Sequence, residues 1–146
     1  MVKNIYIASD HAGFALKEEI LKLPDVKFTD LGTNSTETVD YPDFASKLVN
    51  KMLDDHDSKS KGILICGSGI GMSIAANRNP NIRAGLAFNS DIAKLMCQHN
   101  DANILVLPGR FIDVHEALKC VDNFLSYQFE SGRHSKRIHK LVKTNE

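Results

Sequence analysis

Residues 63–73 read ILICGSGIGMS, an apolar run that ends in a cysteine and then places glycines on alternate positions, Gly67, Gly69 and Gly71. Glycines so spaced let backbone N–H groups turn toward one point. A helix starting behind them adds positive partial charge. The stretch Gly67, Ser68, Gly69, Ile70 and Gly71 is therefore a candidate anion site, for a phosphate, a carboxylate or a transient oxyanion. The competing reading is a tight strand-to-helix turn with no ligand. Two nucleotide motifs fail here. G-x-G-x-x-G counted from Gly67 needs glycine where Met72 stands, and the closing G-K-[ST] of a P-loop is absent. Cys66 sits at the mouth of the loop. Near a helix N-terminus a thiol pKa falls from about 8.5 toward neutrality, which would make Cys66 a base or a nucleophile. As packing alone it is a small buried hydrophobe.

Other chemistry-bearing residues fall in short groups: Ser9-Asp10-His11, Asp40-Tyr41-Pro42, Gln98-His99-Asn100, Pro108-Gly109-Arg110 and GRHSKR, which holds Arg133 and Arg137. Asp10 suits a helix N-cap as well as a catalytic role. His99 could act as an acid–base group at neutral pH or sit against a helix dipole. Tyr41 is either core or a cover over a ligand. The basic run is either a solvated tail or, with Arg133 and Arg137 at i, i+4 on a helix, a clamp for a phosphate. His56, His115 and His139 show no metal-ligand spacing, so no metal site is expected. Cys97 and Cys120 lie in helical patterns and are expected to be packing.

Positioning these groups requires a regular scaffold. Apolar runs at 5–8, 26–31, 62–66, 83–88 and 103–107 read as strands. Between them run helical patterns. One at about 13–23 carries Leu16, Ile20 and Leu23 inside and Lys17, Glu18 and Lys22 outside. Another, opened by Pro42, buries Ala45, Leu48, Val49, Met52 and Leu53. A helix is expected at about 71–77. Further helices carry Ile92, Leu95 and Met96, then Ala117, Leu118, Val121, Phe124 and Leu125, and a basic helix is expected at about 133–143. The polar stretch 54–62 reads as a solvated connection. Alternating strands and helices imply one α/β domain over residues 1–146: a doubly wound five-stranded parallel sheet with helices on both faces, a Rossmann-like sandwich. Ligands then bind outside the carboxyl ends of the strands.

Composition narrows the partners. The chain has 146 residues, with 18 Lys plus Arg against 18 Asp plus Glu. Neutrality gives no support for nucleic-acid or membrane-surface binding. No apolar run approaches the ~20 residues of a membrane span, and the N-terminus reads as a strand rather than a signal peptide. Three cysteines without paired spacing suggest free thiols in a reducing compartment, so the cytoplasm is expected.

Taken in order and spacing, SDHAG (9–13), DYP (40–42), ICGSGIG (65–71), QHND (98–101) and GRH (132–134) with Arg137 resemble the type B ribose-5-phosphate isomerases, within the wider family of pentose- and hexose-phosphate isomerases. The resemblance spans essentially the whole chain. It implies a cofactor-free and metal-free aldose–ketose isomerase acting on ribose 5-phosphate and ribulose 5-phosphate. It implies Cys66 as the base between C1 and C2, loop 67–71 as the hole for the enediolate, and His99 for ring opening with Asp10 assisting. It further implies Asn100 on the sugar, and His11, Arg110, Arg133 and Arg137 on the phosphate. A homodimer or higher homo-oligomer with shared sites follows from the same resemblance. The family's second form replaces the cysteine and uses a glutamate just after the loop. Met72 stands at that place and Cys66 is kept, so the chain looks like the cysteine form. Ser68 stands where many members carry threonine. A hexose 6-phosphate (galactose or allose) is the rival substrate, and a non-catalytic nucleotide-binding module is the rival class. A phosphoacceptor receiver domain, similar in size and fold, lacks its acidic residue after the third strand, where Cys66 stands, and its lysine after the fifth.

Overall fold

The computed structural model describes residues 4–142. The strands are β1 (Ile5–Ser9), β2 (Phe28–Asp30), β3 (Lys61–Cys66), β4 (Ala84–Leu86) and β5 (Ile104–Pro108). The helices are α1 (Phe14–Leu21), α2 (Tyr41–Asp54), α3 (Ile70–Ala76), α4 (Ser90–Asn100), α5 (Val114–Ser126) and α6 (Ser135–Leu141), the last reached through a 3-10 turn, Gly132–His134. All strands pair in parallel, in the order β2-β1-β3-β5-β4. This is the doubly wound sandwich expected from the alternating pattern.

The period of two along each strand divides the core between the faces. Ile7, Ile63, Ile65, Leu105 and Leu107 face the layer of α1, α4 and α5. Tyr6, Ala8, Leu64, Cys66, Ile104 and Val106 face α2 and α3. Because β1, β3 and β5 are covered on both sides, they read in sequence as continuous apolar runs. Full burial of each large aliphatic side chain there stabilises by about 1.5–3 kcal/mol. The chain leaves β1 outward to β2, then returns past β1 to β3. The connection after β1 therefore enters one helical layer and that after β3 the other, leaving a crevice between their carboxyl ends.

Several expectations need correction. Lys17, expected outside α1, is completely buried, with Nζ 2.8 Å from both Asp30 carboxylate oxygens. Asp30 Oδ1 also accepts from the Gly32 N–H at 3.0 Å, so the pair ties the exit of β2 to α1. A helical period alone could not reveal this, because the covering layer comes from a later segment. Leu53, Ile92 and Leu95, expected on buried faces, are exposed. The edge strands β2 and β4 are shorter than their apolar stretches, each having a partner on one side only. Asp55, in the connection read as merely solvated, accepts from the Tyr6 hydroxyl at 2.6 Å and the Asn4 amide at 2.9 Å. The bond to Asp55 is the main reason the Tyr6 pKa rises to about 12. The basic C-terminal helix starts as the 3-10 turn and ends at Leu141, and residue 143 of its expected range lies outside the described residues.

Candidate active site

Cys66 ends β3, paired with Pro108 of β5, and its side chain turns to the α2–α3 layer. It is buried, 5 % exposed. The chain then turns sharply. Gly69 takes the left-handed conformation, φ 78°, and a Cβ there would collide with Leu86. That conformation launches α3 at Ile70, four residues past the thiol. Ser68 Oγ accepts from the Ile70 N–H at 3.2 Å. Gly71 is roofed by the Tyr41 ring, which any side chain at 71 would strike. Tyr41 is the first residue of α2, part exposed, so it lies over the loop rather than in the core.

The connection after β1 lies beside this loop. The Asp10 N–H donates to Ile65 O, and Asp10 Oδ1 accepts from the Gly13 N–H at 3.0 Å. Asp10 is thus both buried and the closer of the turn into α1, whose N-cap is Gly13. His11 Nδ1 accepts from the Val39 N–H at 3.2 Å. This leaves Nε2 as the protonated nitrogen of the neutral ring, a donor for an anion. Val39, which sequence reasoning missed, carries no side-chain signal because it acts through its backbone. From the third side, the Gly109 N–H donates to Cys66 O at 2.8 Å and the Arg110 N–H to Gly67 O at 3.0 Å. The Arg110 guanidinium lies against Gly67. The carboxyl end of the sheet therefore gathers Asp10, His11, Tyr41, Cys66, the loop 67–71 and Arg110.

His99, Asn100, Arg133 and Arg137 are not with them. His99 and Asn100 are the last residues of α4 rather than part of the connection between that helix and the fifth strand. This helix runs against the strand direction and ends at the amino edge, where Asp101 meets Arg83 and Asn103 O accepts from the Gly62 N–H. The steps from Ile104 to Pro108 separate that edge from the register of Cys66, about 13 Å. At the amino end the His99 ring stacks on His134, centroids 4.4 Å apart and planes at 17°. Glu130 Oε1 lies 3.7 Å from His99 Nε2. Arg133 and Arg137 are exposed on the 3-10 turn and α6. His134 is buried and its Nε2 has no hydrogen-bond partner among the described residues. Burial, then the neighbouring Arg133 charge, holds its pKa below the ordinary histidine value. Glu130 and His134 are the side chains that sequence reasoning missed. His134 stood inside a quoted motif, and nothing in the sequence distinguishes Glu130 from other surface carboxylates.

His99, Glu130 and His134 have donor atoms within 4.8 Å of one another, the grouping among the described residues that could hold a metal. The fit is poor. Stacked rings present their nitrogens side by side rather than converging, and Arg133 and Arg137 add positive charge. Two cavities, 620 and 390 Å³, open at the amino end, and neither is lined by Cys66. All three cysteines are free. Burial raises the Cys120 thiol to about 12 and raises Cys97 too, as packing residues in helices would be. No helix among the described residues is long and apolar enough to cross a membrane.

The model of the family described as Ribose/Galactose Isomerase matches residues 5–141, and the chain belongs to that family. A putative sugar phosphate isomerase of Rickettsia conorii is 50% identical over 141 residues, covering 94% of this chain and 96% of its own length. A solved ribose 5-phosphate isomerase from Thermotoga maritima is 50% identical with a TM-score of 0.91, covering 97% of this chain and 98% of that one. The ribose-5-phosphate isomerase B of Mycoplasma genitalium, solved with bound ribulose-5-phosphate, is 44% identical with a TM-score of 0.89, covering 96% and 94%.

Proposed function

We propose that this isomerase interconverts D-ribose 5-phosphate and D-ribulose 5-phosphate, and that each site is built from two copies of the chain. The observation that carries the reading is the separation of the candidate residues to opposite ends of one sheet. A second copy that presents its amino end to the carboxyl-end crevice completes the set. Exposed apolar side chains support such a contact: Ile70 and Ile74 on one face of α3, Phe88 before α4, and Phe111 beyond β5. The substrate of the Mycoplasma relative supports the choice of pentose.

In this reading His99 of the second copy moves the anomeric hydroxyl proton to the ring oxygen, with Asp10 assisting, and the sugar opens. Cys66 as thiolate takes the proton from C2. The C2 electron pair forms the C1=C2 bond, and charge collects on O1, facing the N–H groups of loop 67–71. The O2 hydroxyl proton passes to O1, Cys66 returns its proton to C1, and C2 becomes the carbonyl. Electrons stay within the substrate, so the step needs no redox cofactor. Tyr41 covers the sugar and Asn100 binds it. His11 Nε2–H, Arg110, Arg133 and Arg137 hold the phosphate dianion. The free cysteines support a cytoplasmic setting.

A six-carbon phosphate is the second reading, because the family's own description spans ribose and galactose. Parallel rate assays on ribose 5-phosphate and on galactose and allose 6-phosphates separate the two. Wild type should be fastest on the pentose, and Cys66→Ala should lose about 10²–10⁴ in kcat with KM little changed. A folded Cys66→Ala chain with near-native kcat would remove the thiol from the mechanism, and a faster hexose would move the substrate.

A further inference from the structure

The smaller amino-end cavity, 390 Å³, holds cations that the mechanism does not use. Lys59, Lys61 and Arg83 line it, against the single carboxylate of Asp101. Lys61 opens β3 and is half-buried. Its Nζ donates to Phe124 O at 2.6 Å and lies 4.4 Å from the centre of the Phe124 ring. An ammonium has three donors. Among the described residues Lys61 forms no ion pair, and Phe124 O is its one acceptor. Burial holds its pKa below the ordinary lysine value, and the nearby Asp101 charge offsets that only in part. Arg83 donates Nε–H to Asp101 O at 2.7 Å, and its Nη2 lies 3.5 Å from the Asp101 carboxylate, which leaves Nη1 without a protein partner among the described residues. Ser60, itself buried, also lines the cavity. Three cations around one carboxylate, with the half-buried Lys61 outside any ion pair among the described residues, favour an anion.

We propose that this cavity binds a small phosphate-bearing organic anion, at a site separate from the one that holds the substrate's phosphate. Its volume is at the small end of ligand pockets, about 300–1,000 Å³, room for a short phosphorylated carbon chain. Its position suits an effector. One wall is the end of α4, at Cys97 and Asp101, and another is the segment Leu125–Phe129 after α5. The first carries His99 and Asn100, and the second leads directly into Glu130, Arg133 and His134. The Glu130 N–H donates to Gln98 O at 3.0 Å, joining the two. An occupant that prefers the arrangement with both walls in place biases the chain toward it. The effect on turnover rests on the functional reading above, whereas the binding itself does not.

Calorimetric titration of the full chain with inorganic phosphate and with glycerol 3-phosphate tests this. The background is Arg133→Ala/Arg137→Ala, which removes two of the four groups assigned to the substrate's phosphate and so weakens binding there. One equivalent per chain should still bind. Adding Lys61→Met should weaken that binding about tenfold or more, as expected for a lost charge-assisted hydrogen bond, and Lys61→Arg should retain it. Arg83→Gln gives the same readout should Lys61→Met fail to fold. Absence of phosphate binding in the double-arginine background would overturn the proposal, as would an affinity that neither Lys61→Met nor Arg83→Gln changes. Wild type without isomerase activity but with this titration intact would instead overturn the functional reading alone.

Discussion

At the carboxyl end of the sheet the candidate groups are held by backbone. Cys66 is fixed by strand pairing, the 67–71 turn by a left-handed glycine, Asp10 by the Gly13 N–H, and His11 by the Val39 N–H. At the amino end they are side chains on helix ends, and Arg133 and Arg137 are exposed with only the buried His134 beneath His99 as a rigid floor. On the proposed function, the difference follows from what each group does. Donors for a developing oxyanion gain from being fixed in advance, so a strand-to-helix turn suits them. Anchors for a phosphate dianion act through charge and long reach, which arginines on a short helix supply. On the proposed function, this separation means that an isolated chain holds neither a complete acid–base pair nor a complete binding site.

The sharpest way to break the comparison is to mix two inactive chains. Cys66→Ala and His99→Ala should each be nearly inactive. After subunit exchange, a two-fold dimer of one of each has one intact site, so about a quarter of wild-type activity should return. No return after verified exchange would place both groups in one chain. A smaller effect is expected for Arg137→Ala. It should lose about 1.5–3 kcal/mol of substrate binding, read mainly in KM, and become less sensitive to inorganic phosphate. An unchanged KM and unchanged phosphate inhibition would make α6 a solvated helix. The smallest effect concerns His134. Burial and the neighbouring arginine charge favour its neutral form in the folded chain. The unfolded chain therefore takes the proton first. The stabilising contribution is complete above about pH 6.5 and declines as pH falls below that value, toward the lower folded-state pKa. Urea midpoints should thus drop on acidification, and His134→Phe, which keeps an aromatic surface for His99, should flatten that part of the profile. An equal slope in the variant would assign the acid sensitivity elsewhere.

Much of the scaffold was legible from pattern. β1, β3 and β5 are buried on both faces and announce themselves as apolar runs, and the periodic faces of α2 and α5 pack as their spacing indicates. The exceptions have a common cause. Lys17 is buried because Asp30 and the end of β2 close over α1, while Leu53, Ile92 and Leu95 sit on helix faces that one chain leaves open. Periodicity reports which residues share a face, and what covers that face comes from elsewhere in the chain or from another copy.

The same division holds for the site. The residue types and local spacing by themselves determined the parallel sandwich, the turn after Cys66, and the candidacy of Asp10, His11, His99 and the two arginines, because strand period, glycine geometry and side-chain chemistry are local properties. Tertiary structure alone decided that Tyr41 roofs Gly71, that Val39 sets the His11 tautomer, that Glu130 and His134 join His99, and that His99 stands at the end of the sheet opposite Cys66. Those relations depend on the direction in which each helix crosses the sheet, and so on long-range closure of the chain rather than on any neighbouring residue.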